Sequence, residues 1–145
     1  MAAPFRTSRR VEFGDTDMAG IMHFSNFFRF MEVAECDFLR SLDLSVTMTW
    51  QGEHFGLPRV SAGCDYLSPA RFGDVLTIAV SVRRLGSKSV TYGFDFFKGE
   101  TAVARGQITA VSCRMHNDHQ LEAIEIPTPF RSRLEPFLTA DSASA

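Results

Sequence analysis

VEFGDTDMAGIMHFSNFFRFMEVAECDFLRSLDL, residues Val11 to Leu44, decides how the rest of this chain is read. A short alternating entry (Val11, Phe13) leads into an acidic loop bounded by glycines, Gly14-Asp15-Thr16-Asp17-Met18-Ala19-Gly20, and an amphipathic segment then starts near Ser25 or Asn26. Phe24, Phe27, Phe28, Met31, Phe38, Leu39 and Leu42 recur at three- and four-residue steps, so the spacing predicts a helix over Asn26 to Leu42, with Ser25 or Asn26 able to cap its first turn. At about 100° per residue, Arg29, Glu32, Cys36 and Arg40 gather on the polar side, whereas Glu35 falls inside the apolar arc.

The chemistry follows from the helix end. Its first amide N–H groups have no partner within the helix and carry a partial positive charge. An ionised Asp17 a few residues earlier can attack a carbonyl or take a proton from water, while those amides stabilise the oxyanion that develops. Asp in a Gly-rich loop is also a common turn former or cap, so the pattern taken alone leaves both readings open.

Downstream of the helix, Ser45 to Gly56, with Trp50, Gly52 and Gly56, reads as a loop whose Trp50 and Phe55 pack against the domain. From Leu57 the apolar period becomes two. Val60, Ala62, Cys64 and Tyr66 alternate with polar positions up to Ser68-Pro69, and Leu76, Ile78, Val80 and Val82 alternate after Gly73-Asp74. Turns at Leu85-Gly86-Ser87-Lys88 and Lys98-Gly99-Glu100 imply three consecutive antiparallel strands, the last running from Thr101 to about Met115. With an entry strand near Arg9 to Phe13, the count is about five strands and one long helix, an α+β domain. The sheet's apolar face needs a cover, and the helix is the one long amphipathic element available, so it is expected to lie across the sheet. Glu122 to Phe137, with Pro127 and Pro129, is expected to form a short closing helix.

The block from Phe13 to Phe27, followed by Glu32, resembles the signature of the 4-hydroxybenzoyl-CoA thioesterase family of hotdog-fold acyl-CoA hydrolases. Weaker similarities follow at Phe72-Gly73-Asp74-Val75-Leu76, Ser87-Lys88-Ser89 and Ala104-Arg105-Gly106, and together they cover about residues 5 to 135. The resemblance implies a hotdog fold, in which a roughly five-stranded antiparallel sheet wraps a long helix. It implies an acyl-CoA thioesterase in which Asp17 is the catalytic carboxylate and the backbone N–H of Phe24 meets the thioester oxygen. His23, Phe24 and Asn26 are then expected at the substrate. Some relatives carry a functional His where this chain has Phe24, with its own His one place earlier at His23. Members that hydrolyse aromatic acyl-CoAs are more similar, having an aromatic residue at Phe24 and Asn at Asn26. Relatives often carry Arg at the position of Glu35.

Arg83, Arg84 and Lys88 make one hairpin basic, which suits either phosphates or a solvated tip, and Ser89 adds a hydroxyl. Because family members bind the nucleotide end of CoA near a comparable turn, Arg84, Lys88 and Ser89 are carried as substrate-binding candidates. The resemblance further implies a homo-oligomer, a dimer or a dimer of dimers (a homotetramer), with acyl carrier protein as an alternative carrier. Two rival functions are a hotdog enoyl-CoA hydratase using Asp17 with His23, and a non-catalytic acyl-CoA or carrier-protein binding module.

Composition bounds these readings. A chain of 145 residues with 45% apolar content is expected to form a single domain over 1–138, followed by a disordered small-residue tail at 139–145. A net charge of −2 gives no general pull towards nucleic acid or an anionic membrane. Cys36, Cys64 and Cys113 are odd in number and far apart, which argues for reduced thiols in a cytoplasmic protein. No signal peptide or membrane span is expected. His116-Asn117-Asp118-His119 reads as a polar turn, no metal site is expected, and no cofactor is implied. The 14 Phe residues are mostly core, with several near the helix start available to line an acyl pocket.

Overall fold

The structure, a computed structural model, describes residues 3–139. In chain order it contains β1 (Phe5–Arg10), a 3-10 turn (Phe13–Asp15), α1 (Asn26–Ser41), β2 (Thr47–Trp50), β3 (Glu53–Gly56), β4 (Arg59–Tyr66), β5 (Val75–Leu85), β6 (Ser89–Lys98), β7 (Thr101–Val111), β8 (Cys113–Met115), β9 (Leu121–Ala123) and α2 (Thr128–Leu134). Five strands form an antiparallel sheet in the order β1-β5-β6-β7-β4. The domain is α+β, with α1 packed across one face of that sheet.

The period-two alternation puts Leu76, Ile78, Val80 and Val82 of β5 and Tyr92, Phe94 and Phe96 of β6 on the helix side, all buried. α1 answers with Phe27, Phe30, Met31, Ala34, Phe38 and Leu39. Phe27 meets Phe96 edge-on at 5.3 Å, and Phe38 meets Tyr92 at 6.2 Å, so the helix runs antiparallel to β6. Gly106 of β7 lets the helix come close, because a Cβ there would overlap the Met31 Cε. Phe137, beyond α2, closes the other end against Phe38 at 4.9 Å.

β4 is an edge strand that the helix covers only in part. Ala62 and Tyr66 project to the same side as the core yet remain exposed, and Val60, at a bulge in the strand, is exposed as well. Residues that alternate like a half-buried strand thus have only part of a cover in one chain.

The structure differs from the sequence expectation in its second sheet, of order β2-β3-β8-β9. The stretch Ser45 to Gly56, expected to be a loop, holds the β2–β3 hairpin. Its two-residue turn has Gln51 at φ 51° and Gly52 at φ 77°, the left-handed pair a type I′ turn needs. Phe55 is buried against Phe130 at 5.6 Å, and Trp50 packs on the core, as expected of them. The single strand expected from Thr101 to Met115 breaks at Ser112. There the chain leaves β6 (Ser112 N–H to Lys88 O, 2.7 Å) and joins β9 (Ile124 N–H to Ser112 O, 2.9 Å). The entry strand lies earlier than expected, at Phe5–Arg10, and α1 ends one residue sooner, at Ser41. Residues 140–145 of the expected tail lie outside the described residues.

Candidate active site

The loop before α1 is held from both sides. Val11 N–H donates to Asp74 O (2.8 Å), and Gly73 N–H donates back to Val11 O (2.8 Å). Asp15 accepts the Glu12 N–H on its carboxylate at 2.9 Å, so it shapes the 3-10 turn. Asp17 then begins a tight turn. Its Oδ1 accepts the Ala19 N–H at 2.8 Å, Gly20 N–H reaches Asp17 O at 3.0 Å, and Gly20 takes φ 78°. The second carboxylate oxygen of Asp17 has no partner among the described residues.

The helix start is locked to this loop through one carbonyl. Asp15 O accepts both the His23 N–H and the Asn26 Nδ2–H, each at 2.8 Å. Asn26 therefore fixes the spacing between Asp17 and the first turn of α1. The Phe24 N–H has no acceptor among the described residues, while its carbonyl accepts the Tyr66 hydroxyl at 2.9 Å.

Asp17 and Phe24 line one cleft of about 560 Å³, together with Ile21, Met22, Phe27, Tyr66, Leu67, Ser68, Pro69 and Ala70. The wall is chiefly apolar. One carboxylate, one free amide and several aromatic rings in an apolar-walled cleft suit a substrate with a polar, electrophilic carbonyl on an apolar group. Phe24 is 62% and Tyr66 46% exposed, so the cleft opens beside the partly covered β4 edge.

His23 and Asn26 stand next to the cleft without lining it. The His23 Nδ1 accepts the Ser25 N–H at 3.2 Å, and its ring stacks on Phe24 at 4.7 Å. No hydrogen bond joins it to Asp17 among the described residues, which removes support for the Asp–His pair a hydratase would use. Arg84, Lys88 and Ser89 lie at the β5–β6 turn, at the far end of the sheet. Nine residue steps along β5 lead from Val75 to Arg84, about 30 Å at strand rise. Within one chain the hairpin and Asp17 are not brought together.

Tyr66, Leu67, Ser68 and Ala70 were not among the sequence candidates. Their signal was faint: the alternation identifies Tyr66 only as a strand residue, and its closeness to Phe24 is made by long-range pairing of β4 with β7. The thiols offer no nucleophile, since burial pushes Cys36 and Cys113 up and Cys64 up to about 11. Among the described residues no group of three or more His, Cys, Asp or Glu is placed to hold a metal ion. His116 instead bonds Glu122 at 2.9 Å within the β8–β9 turn region.

A helix-covered antiparallel sheet of this kind is consistent with the hotdog fold of thioesterases, and a carboxylate beside an unpaired helix-entry amide has the groups that acyl transfer uses. Residues 11–134 match the model of the thioesterase-like superfamily, and the chain belongs to that family. It is 30% identical over 114 residues to a 1,4-dihydroxy-2-naphthoyl-CoA hydrolase of Synechococcus sp. strain WH7803, covering 74% of each chain. It is 27% identical over 137 residues to the 4-hydroxybenzoyl-CoA thioesterase of Pseudomonas sp. strain CBS-3, covering 90% of this chain and 96% of the other. The crystal structure of a 1,4-dihydroxy-2-naphthoyl-CoA thioesterase from Synechocystis superposes with a TM-score of 0.78 at 26% identity, covering 90% of this chain and 94% of that one. The protein is a thioester hydrolase.

Proposed function

We propose that the protein hydrolyses an acyl-CoA whose acyl group is aromatic, of the hydroxybenzoyl or dihydroxynaphthoyl kind, to the free acid and CoA. The reading rests on one observation: the Asp17 carboxylate and the unpaired Phe24 N–H share a cleft walled by Phe24, Phe27 and Tyr66. Aromatic faces and edges favour a ring between them, and the relatives named above act on aromatic thioesters.

In this reading the thioester oxygen lies at the Phe24 N–H. Asp17 either attacks the carbonyl carbon, expelling CoA thiolate and leaving a mixed anhydride for water to open, or takes the proton of an attacking water. Both routes pass through an oxyanion, and both end in a carboxylic acid and CoA. One preorganised amide donor is worth about 3 to 4 kcal/mol of barrier.

The remaining assignments fit the same reading. Residues 1–138 act as one catalytic domain. A second copy covers the exposed apolar edge at Val60 and Tyr66, giving a dimer or a dimer of dimers in which the cleft is walled from both sides. Arg84, Lys88 and Ser89 then meet the phosphates of a CoA seated in a neighbouring copy, since about 30 Å of strand separates Arg84 from Val75, the end of β5 next to the catalytic loop. Acyl carrier protein is an alternative carrier, and the site of action is the cytoplasm. No described helix is long and apolar enough to cross a membrane.

The test is thiol release over benzoyl-, 4-hydroxybenzoyl-, dihydroxynaphthoyl- and straight-chain acyl-CoAs. Aromatic thioesters should have kcat/KM at least tenfold above the straight-chain ones. A preference for straight chains would contradict the aromatic assignment.

A further inference from the structure

Tyr66 enters the cleft from the end of β4, a strand remote in sequence from the catalytic loop. Its hydroxyl donates to Phe24 O at 2.9 Å, and its ring meets Phe27 edge-on at 5.2 Å and Phe24 at 6.5 Å. The base of the side chain is itself fixed. Immediately after it, Leu67 and Ser68 N–H both donate to Val103 O (2.8 and 3.1 Å), and the Ser68 hydroxyl donates to Ala102 O at 2.7 Å.

Phe24 lies before the first residue of α1, so its peptide planes are held by bonds outside the regular helix ladder. Those bonds are few: His23 N–H and Asn26 Nδ2–H reach Asp15 O, Asn26 N–H reaches His23 O at 2.9 Å and steadies the peptide that carries the Phe24 N–H, and Ser25 N–H reaches His23 Nδ1 at 3.2 Å on the peptide that carries the Phe24 carbonyl. Between those anchors the Tyr66 hydroxyl is the only side-chain donor on the Phe24 carbonyl among the described residues. Rotation of the Phe24–Ser25 peptide changes the Phe24 ψ torsion, and with it how the neighbouring peptide, which carries the Phe24 N–H, sits between the start of α1 and the cleft. Partial burial raises the Tyr66 phenol above its ordinary value, so it keeps its proton at neutral pH.

We propose that Tyr66 is a positioning residue: by donating to the Phe24 carbonyl it fixes the Phe24–Ser25 peptide, and through the Phe24 backbone torsions it keeps the neighbouring N–H of Phe24 aligned with the thioester oxygen. The inference depends on the thioesterase reading above. It also makes β4, the edge expected to meet a second copy, part of the oxyanion site, so that ordering of this edge is transmitted to catalysis through a single hydroxyl.

Tyr66→Phe keeps the ring and its two aromatic contacts and removes only the hydroxyl. Steady-state kinetics on 4-hydroxybenzoyl-CoA should show kcat falling about five- to tenfold, the loss expected of one hydrogen bond, with KM and melting temperature near those of the parent. The second readout is the infrared carbonyl stretch of 4-hydroxybenzoyl-CoA, 13C-labelled at the thioester carbon and bound to Asp17→Asn. Its shift to lower frequency should shrink when Tyr66→Phe is added. An unchanged kcat, a rise in KM alone, or a lower kcat with an unchanged carbonyl frequency each overturns the positioning role while leaving the thioesterase reading intact. A parent protein that does not hydrolyse this substrate sinks the aromatic thioesterase reading, and this inference with it.

Discussion

Arg59 Nη2 lies 2.6 Å from Glu35 Oε1, joining a fully buried carboxylate on α1 to the first residue of the edge strand β4. Glu35 is the polar residue that interrupts the apolar arc of the helix, and its second oxygen has no partner among the described residues. The bridge fastens the helix to the start of β4, as the Phe27–Tyr66 ring contact does to its end. Burial raises the Glu35 pKa above its ordinary value, although the Arg59 hydrogen bond and charge pull the other way. Removing the cation strands the carboxylate, and Arg59→Met should cost about 3 to 5 kcal/mol in denaturant unfolding at neutral pH.

The pH dependence has a definite sign. A carboxyl whose folded pKa is raised binds more protons folded than unfolded in the window above its ordinary value, so stability falls as pH rises through that window. The slope should be steeper in Arg59→Met, where the opposing pull is gone, and the variant should recover towards the parent as pH drops to about 4. Glu35→Gln should remove this contribution altogether. Unfolding free energies measured from pH 4 to 8 check it; a loss in Arg59→Met that does not vary with pH would contradict a buried, ionised Glu35.

Asn26→Ala tests the link between loop and helix. Its Nδ2 shares Asp15 O with the His23 N–H, and neither group belongs to the substrate. The substitution should cost about 1 kcal/mol of stability and lower kcat more than it raises KM, because Asp17 loses its fixed spacing from Phe24. A rise in KM alone would return Asn26 to the substrate-contact role expected from its sequence position.

At Phe24 the backbone matters more than the ring. Phe24→Ala keeps the amide and should retain kcat within about tenfold of the parent, whereas Phe24→Pro deletes the N–H and should lose about 10²- to 10³-fold. Circular dichroism and thermal melting show whether each variant keeps the fold. Equal losses in the two would place the effect in the side chain.

How much of this was legible in the sequence depends on the range of the interactions. α1 and the strands β4 to β7 could be read because their periods of 3.6 and 2 are local consequences of one buried face, and the placement of Asp17 just ahead of the helix start could be read because loop and helix are contiguous. The second sheet escaped. β2 and β3 are four residues each, and their turn is Gln51-Gly52 where the commoner signal is Asn-Gly or Asp-Gly. The break at Ser112 was hidden because its cause, exchange of β6 for β9, lies in partners distant along the chain. Tyr66 was seen as a strand residue and Glu35 as a misfit. Both acquire their meaning only from a partner more than 20 residues away, Phe24 for one and Arg59 for the other.

The central claim is that Asp17 performs the hydrolysis. Asp17 is a half-buried residue lining the cleft, and the turn around it is made by backbone groups and by one of its two carboxylate oxygens. Asp17→Asn keeps an oxygen able to accept the Ala19 N–H and removes the charge. The most direct measurement is thiol release from 4-hydroxybenzoyl-CoA and 1,4-dihydroxy-2-naphthoyl-CoA by the parent and by Asp17→Asn, both shown to be folded by circular dichroism. The account predicts release by the parent and a loss of at least about 10³-fold in the variant, the scale on which an essential base or nucleophile acts. Turnover by Asp17→Asn close to that of the parent would contradict it.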